Sequence, residues 1–190
     1  VDTRYAATMR AALEAGAEVV NDVSALRHDP EAMAVVADAG CPVVLMHMPG
    51  TEPATMQQHA EYADVALAVL EFLAARIEAC EAAGIPRHRI AVDPGIGFGK
   101  TMEHNLELLD RLPILLNLGC PILVGASRKR FVGTLSGTSN PRDRMAGSLG
   151  VAVSAAARGA AMLRVHDVAE TVAALRLWRA CASGPLEPQG

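Results

Sequence analysis

Short apolar runs alternate along the chain with longer stretches whose apolar residues recur at helical spacing, and each short run ends in polar residues. The short runs are residues 17–21, 42–47, 90–93, 121–127 and 161–166. The helical patterns cover 4–15, 30–39, 62–83, 103–118, 142–157 and 168–182. This rhythm predicts repeated βα units and a parallel sheet, with about five strands and six helices. Gly16, Gly40, Gly84, Gly119 and Gly159 each fall just after a helical stretch, where a helix stop is expected. No charge run or Ser/Gly linker divides the chain, so residues 1–183 read as one domain and 184–190 as a loose tail.

Five strands fit a small doubly wound sheet, and they also fit most of an eight-stranded (β/α) barrel. Barrels crowd functional residues at the carboxyl ends of successive strands. Here the strand ends carry Asn21-Asp22, Met46-His47, Asp93, Ser127-Arg128-Lys129 and Arg164-Val165-His166-Asp167. Val1-Asp2-Thr3 reads as the end of one more strand. The pattern therefore favours a partial TIM-like (β/α)8 barrel, with the doubly wound sheet still open.

Composition narrows the class further. Of 190 residues, 51% are hydrophobic and 20% charged, which supports a buried core rather than disorder. Aromatics are only 3%, so small and branched aliphatics must fill that core, as in a parallel sheet covered by helices. Seventeen basic residues against twenty-one acidic ones give 17 − 21 = −4, which gives no electrostatic footprint for nucleic acid or an anionic membrane surface. The longest uncharged stretch, 112–127, is shorter than the roughly 18–20 residues a membrane span needs. The four cysteines have no C-x-x-C spacing and read as reduced thiols of a cytosolic protein.

Three clusters carry the candidate chemistry. In Asp93-Pro-Gly-Ile-Gly-Phe-Gly-Lys100-Thr101, a phosphate loop fails because only three residues separate Gly95 from Gly99. What remains is a strand-end carboxylate followed by a glycine-rich turn that lets backbone approach a planar ligand. In Ser127-Arg128-Lys129-Arg130, a strand period would put Ser127 and Lys129 on one face. An inward Lys129 needs an acceptor, and Asp93 is available. Arg164 and His166 share a face and suit phosphate oxygens, as at the last strands of many barrels; the alternative pairs Arg164 with an acid and has His166 cap the next helix. His47 lacks a second ligand at metal spacing and reads as structural. No metal site built by the protein is expected.

Those residues carry a family resemblance. Asp2-Thr3, Asn21-Asp22-Val23-Ser24, Leu45-Met46-His47-Met48, Asp93 to Lys100, His104-Asn105-Leu106, Ser127-Arg128-Lys129 and Arg164 to Asp167 resemble dihydropteroate synthase, in order. Arg130 is similar to actinobacterial members; many relatives carry Ser there. The resemblance implies a (β/α)8 barrel that joins 6-hydroxymethyl-7,8-dihydropterin pyrophosphate to p-aminobenzoate, giving 7,8-dihydropteroate and pyrophosphate in folate biosynthesis. It also implies a sulfonamide target and a homodimer. Matches to Asp2, Asn21, Asp93 and Lys129 hold the pterin, with Asp93, Lys129 and Asp2 catalytic. Met46, Phe98 and Gly125 line the pterin pocket. Arg164 and His166 hold the pyrophosphate together with Mg2+, and Ser127 and Arg128 line the p-aminobenzoate side.

The family pattern begins with two further βα units and a third strand that carry the magnesium-binding Asn. The expectation is that 190 residues alone form an open barrel with little activity. Two other classes stay open: a non-catalytic truncated pterin-binding homologue, and the pterin module of a folate or corrinoid methyltransferase.

Overall fold

A computed structural model describes residues 1–50 and 61–183; the expected tail, 184–190, lies outside them. Among the described residues five parallel strands, β1 (Val20–Asp22), β2 (Val43–Met46), β3 (Ile90–Asp93), β4 (Ile122–Val124) and β5 (Ala160–Leu163), pair in the order in which they occur. Seven α-helices accompany them there: α1 (Ala6–Glu14), α2 (Ala32–Ala39), α3 (Val65–Ala82), α4 (Met102–Asp110), α5 (Arg130–Ser136), α6 (Met145–Ala157) and α7 (Val168–Ser183). One more helix is present than the sequence pattern predicts, because α5 follows Lys129 directly. The predicted 103–118 helix splits into α4 and a 3-10 segment, Leu112–Leu118, with Pro113 in its first turn.

Sequential strand order decides between the two architectures. Each crossover steps to the adjacent strand, and right-handed connections then lay the helices on one face, as in a barrel. A doubly wound sheet reverses its strand order and covers both faces. Curvature agrees. Four strand intervals of about 4.8 Å would put β1 and β5 roughly 19 Å apart in a flat sheet, too far for one arginine to cross. Yet Arg164, just after β5, donates from Nη1 to Asn21 Oδ1 at 3.3 Å. The sheet therefore curls around a common mouth.

The first strand is extended as the sequence suggests. Asp2 forms a parallel bridge with Asn21, with Asn21 N donating to Val1 O at 2.8 Å and Thr3 N to Asn21 O at 3.1 Å. Val20, Val43, Leu45, Ile90, Val92, Ile122 and Val124 pack outward with the helices' apolar faces into one core. At the other edge, Ala161 and Met162 of β5 are exposed.

The turn after β1 depends on one buried acid. Asp22 Oδ1 accepts from Ser24 N and Ser24 Oγ, both at 2.7 Å, and Oδ2 from Leu26 N at 3.1 Å. These bonds hold Ala25 and Leu26 in left-handed conformations, φ 53° and 58°, which side chains adopt at a cost. Asp22→Ala is expected to cost about 2–4 kcal/mol in denaturant unfolding. A loss below about 1 kcal/mol would show that the turn does not need it.

Candidate active site

Register sets the inner face of the sheet. Asn21 pairs with Val44, Val44 with Ala91, and Met46 with Asp93. With a side-chain period of two, Asn21, Met46 and Asp93 point to the same side, joined by Asp2 through its bridge to Asn21. Across β4 and β5, Arg164 N bonds Val124 O, so Arg164 stands beside Gly125. An added Cβ at Gly125 would lie 2.8 Å from Arg164 Nη2; the missing side chain lets the guanidinium lie inward.

Asp93 sits at the centre of this mouth, 1% exposed. Its Oδ1 accepts from Gly95 N at 2.7 Å and its Oδ2 from Arg164 Nη2 at 2.9 Å. Burial pushes its carboxyl upward, against Arg164, the Gly95 amide and Lys129, which favour the anion. Arg164 thus bridges Asp93 and Asn21. The alternative pairing, Arg164 on an acid, is the one observed.

Lys129 arrives differently from the strand-face expectation. Strand β4 stops at Val124, and Lys129 is the residue preceding α5. Its ammonium donates to Ile96 O and stands 4.4 Å from the Phe98 ring centroid. Asp93 acts on it through space rather than as its hydrogen-bond partner. Burial lowers the ammonium to about 8, countered by Asp93 and assisted by Arg164.

The glycine-rich loop after Asp93 is fixed from several sides. Gly97 N donates to Asn105 Oδ1 at 2.6 Å, and Tyr62 Oη donates to Gly99 O at 3.1 Å. Asn105 Nδ2 reaches back to Thr101 O at 2.6 Å. Thr101 and His104 form a reciprocal cap at the start of α4. Beside the loop, a cavity of about 680 Å³ is lined by Phe98, Asn105, Lys129, Arg130 and Phe131, among others.

Sequence reasoning passed over Lys100. It is 5% exposed, and its Nζ meets His47 Nδ1 at 2.9 Å and Phe98 O at 3.0 Å, with His47 O at 3.5 Å. The signal for it was a lysine inside an otherwise apolar turn, noticed only as a failed phosphate-loop residue.

Ser127 and His166 come together, with Ser127 Oγ 3.0 Å from His166 Nδ1 and accepting from His166 N at 3.3 Å. Arg128 is turned away on Asp167, with Nε to Oδ2 at 3.1 Å and Nη2 on Oδ1. Its left-handed backbone, φ 58°, is held by Ser148 Oγ, which accepts from Arg128 N at 2.9 Å, and by Arg144 Nη1 on its carbonyl at 2.9 Å. The Arg128 guanidinium holds the Asp167 carboxyl below its ordinary value. Arg128 therefore braces the β4 and β5 loops against each other in this structure, while Ser127 faces His166.

The pattern is a buried acid among three cations at one barrel mouth, and comparison with known proteins places it. The pterin binding enzyme family matches residues 1–166. Dihydropteroate synthase of Escherichia coli K12 is 43% identical over 183 residues, covering 96% of this chain and 64% of that protein. The Thermus thermophilus enzyme, solved in complex with 6HMPPP, superposes with a TM-score of 0.92 at 45% identity, over 96% of this chain and 72% of that one. The chain belongs to the dihydropteroate synthase family of pterin binding enzymes. A Xanthomonas albilineans dihydropteroate synthase solved with 4-aminobenzoic acid gives a TM-score of 0.91 at 50% identity, over 97% of this chain and 65% of that one. The chain spans about 64% of the length of curated relatives such as the E. coli protein. Among the described residues no helix is long and apolar enough to cross a membrane.

Proposed function

We propose that these residues form the pterin and pyrophosphate side of a dihydropteroate synthase site in folate biosynthesis. The substrates are 6-hydroxymethyl-7,8-dihydropterin pyrophosphate and p-aminobenzoate. The observation that carries the reading is the buried Asp93 carboxylate, flanked by Arg164 and Lys129 at one curled mouth. A pterin edge offers paired donors and acceptors that Asp93 and Asn21 can meet, with Met46, Gly125 and Phe98 as walls. Asp2 shares that inner face.

Chemistry follows from charge placement. The bond between the pterin methylene and the pyrophosphate oxygen breaks, and its electron pair leaves with the pyrophosphate. The arylamine nitrogen supplies the pair for the new C–N bond and then sheds a proton to solvent or to the leaving anion. Asp93 and Asp2 stabilise the cationic character left on the pterin; Arg164 and His166 take the anion's charge. An arylamine is already a nucleophile, so positioning suffices without a strong base. In this reading Ser127 serves the p-aminobenzoate side by orienting His166, and Arg128 serves it by bracing the two loops.

Among the described residues no group of three His, Cys, Asp or Glu side chains is placed to hold a metal. In this reading Mg2+ comes with the pyrophosphate, and no step here depends on it. A cytosolic location, a homodimer through the helices of the last units and sulfonamide binding are parts of the same proposal.

Calorimetry tests it. Pterin pyrophosphate is expected to bind first, and p-aminobenzoate to bind only in the presence of pterin pyrophosphate or pyrophosphate. Pterin binding with no p-aminobenzoate step would instead favour a pterin module of the methyltransferase kind or a non-catalytic homologue.

A further inference from the structure

The glycine-rich loop stands between two ammonium groups that draw on alternate carbonyls. Lys129 takes Ile96 O on one side, and Lys100 takes Phe98 O on the other. Lys100 is also tied to the end of β2 through the ring and carbonyl of His47. An ammonium has no lone pair, so His47 Nδ1 must be the acceptor and its ring proton must sit on Nε2. Burial together with Lys100 and Arg27 lowers His47 to about 3, so the ring stays neutral and able to accept. The ring is held edge-on to Phe72, 4.9 Å between centroids. His47 follows Met46, the register partner of Asp93, and His47 N donates to Asp93 O at 3.0 Å.

We propose that Lys100 is a positioning residue for the pterin site: its ammonium latches the glycine-rich loop to the end of β2 and so sets where the Phe98 ring and the Lys129 ammonium stand relative to Asp93. The inference rests on reading this mouth as a pterin site. Every acceptor that Lys100 touches is neutral, which makes its charge expensive. Desolvation lowers it to about 7, with Asp93 raising it and Lys129 lowering it further. The unfolded chain therefore binds more protons than the native one between about 7 and the ordinary lysine value, so native stability rises with pH through that window and falls as Lys100 becomes charged. A charge that lowers stability at neutral pH is poorly explained as a support for the fold. It is well explained as a latch that a ligand site requires.

The groups facing Lys100 are His47 just after β2, Asp93 from β3 and Lys129 before α5. Beyond them lie Tyr62, on the carbonyl of Gly99, His104 against Tyr62, and Arg27 beyond His47. Lys129 titrates nearby, so the test compares variants that share it. In the full chain, 6-hydroxymethylpterin is titrated by fluorescence from pH 6 to 8.5 against wild type and Lys100→Met. Wild type is expected to bind about tenfold tighter than Lys100→Met at pH 6 and to converge on it as pH passes 7. The variant's melting temperature at pH 6 should equal or exceed the wild-type value. Equal affinities at every pH, or a pH-independent deficit with a lowered melting temperature, would overturn the proposal. Should Lys100→Met fail to fold, wild type decides alone: the Lys100 Cε resonance and the amide of Gly99, which shares its peptide unit with Phe98 O, must titrate with one midpoint, and separate midpoints overturn it. Wild type that binds no pterin at any pH refutes the site reading instead, and the amide titration still decides the latch.

Discussion

Asp93→Asn is expected to lower kcat/KM by about 10²–10³-fold while leaving thermal stability nearly unchanged. The two effects separate because of where the charge sits. Asn can still accept from Gly95 N, so the turn after β3 keeps its first bond. Arg164 loses its acid partner but keeps Asn21 Oδ1, and its side chain is 40% exposed and can be solvated. The buried Lys129 and Lys100, which Asp93 helps to keep charged, shed their protons more readily instead. Removing the carboxylate also removes a buried charge that is expensive to keep. A pterin, by contrast, loses the central acceptor of its hydrogen-bonding edge, and the departing pyrophosphate leaves a cationic centre with one anion fewer beside it. Steady-state kinetics together with thermal melts check this. A kcat/KM within a factor of about three of wild type would remove Asp93 from the chemistry.

Gly95→Ala is expected to be the most destabilising single methyl addition in the site. The residue has φ 69°, and a Cβ there would lie 1.9 Å from the carbonyl oxygen of His47, which is backbone and cannot swing aside. The end of β2 or the whole loop must move, and either shift breaks the Lys100 contacts with His47 or Phe98. Overpacking plus left-handed strain costs about 3–5 kcal/mol, a large share of the ~5–15 kcal/mol that holds a domain. Urea unfolding measures it, and a loss below about 1 kcal/mol would mean that the close approach is easily relaxed.

Much of the fold was legible because apolar period and polar punctuation coincide. Ile90–Asp93 matches its predicted bounds, and residues 43–46 fall inside the predicted 42–47. Helix α5 was not legible: Gly133, Thr134 and Ser136 are weak helix formers, and the seven residues are held by tertiary contacts such as buried Phe131 and Val132. The candidate site residues were picked out by their place at strand ends, and the register puts Asn21, Met46, Asp93 and Arg164 there. Their partners were not legible. Asp93 pairs with Arg164 rather than Lys129 because β4 ends early and the chain turns into α5, which changes the direction from which Lys129 arrives. His47 read as structural because its partner, Lys100, lies 53 residues away and meets it only in the folded chain.

A co-crystal structure with the pyrophosphate-bearing dihydropterin tests the central claim most directly. The pterin ring should lie against Asp93 and Asn21 with the Lys129 ammonium alongside, and its pyrophosphate should reach Arg164 and His166 from the same mouth. A pterin bound elsewhere, or one whose pyrophosphate points away from Arg164 and His166, would contradict the account.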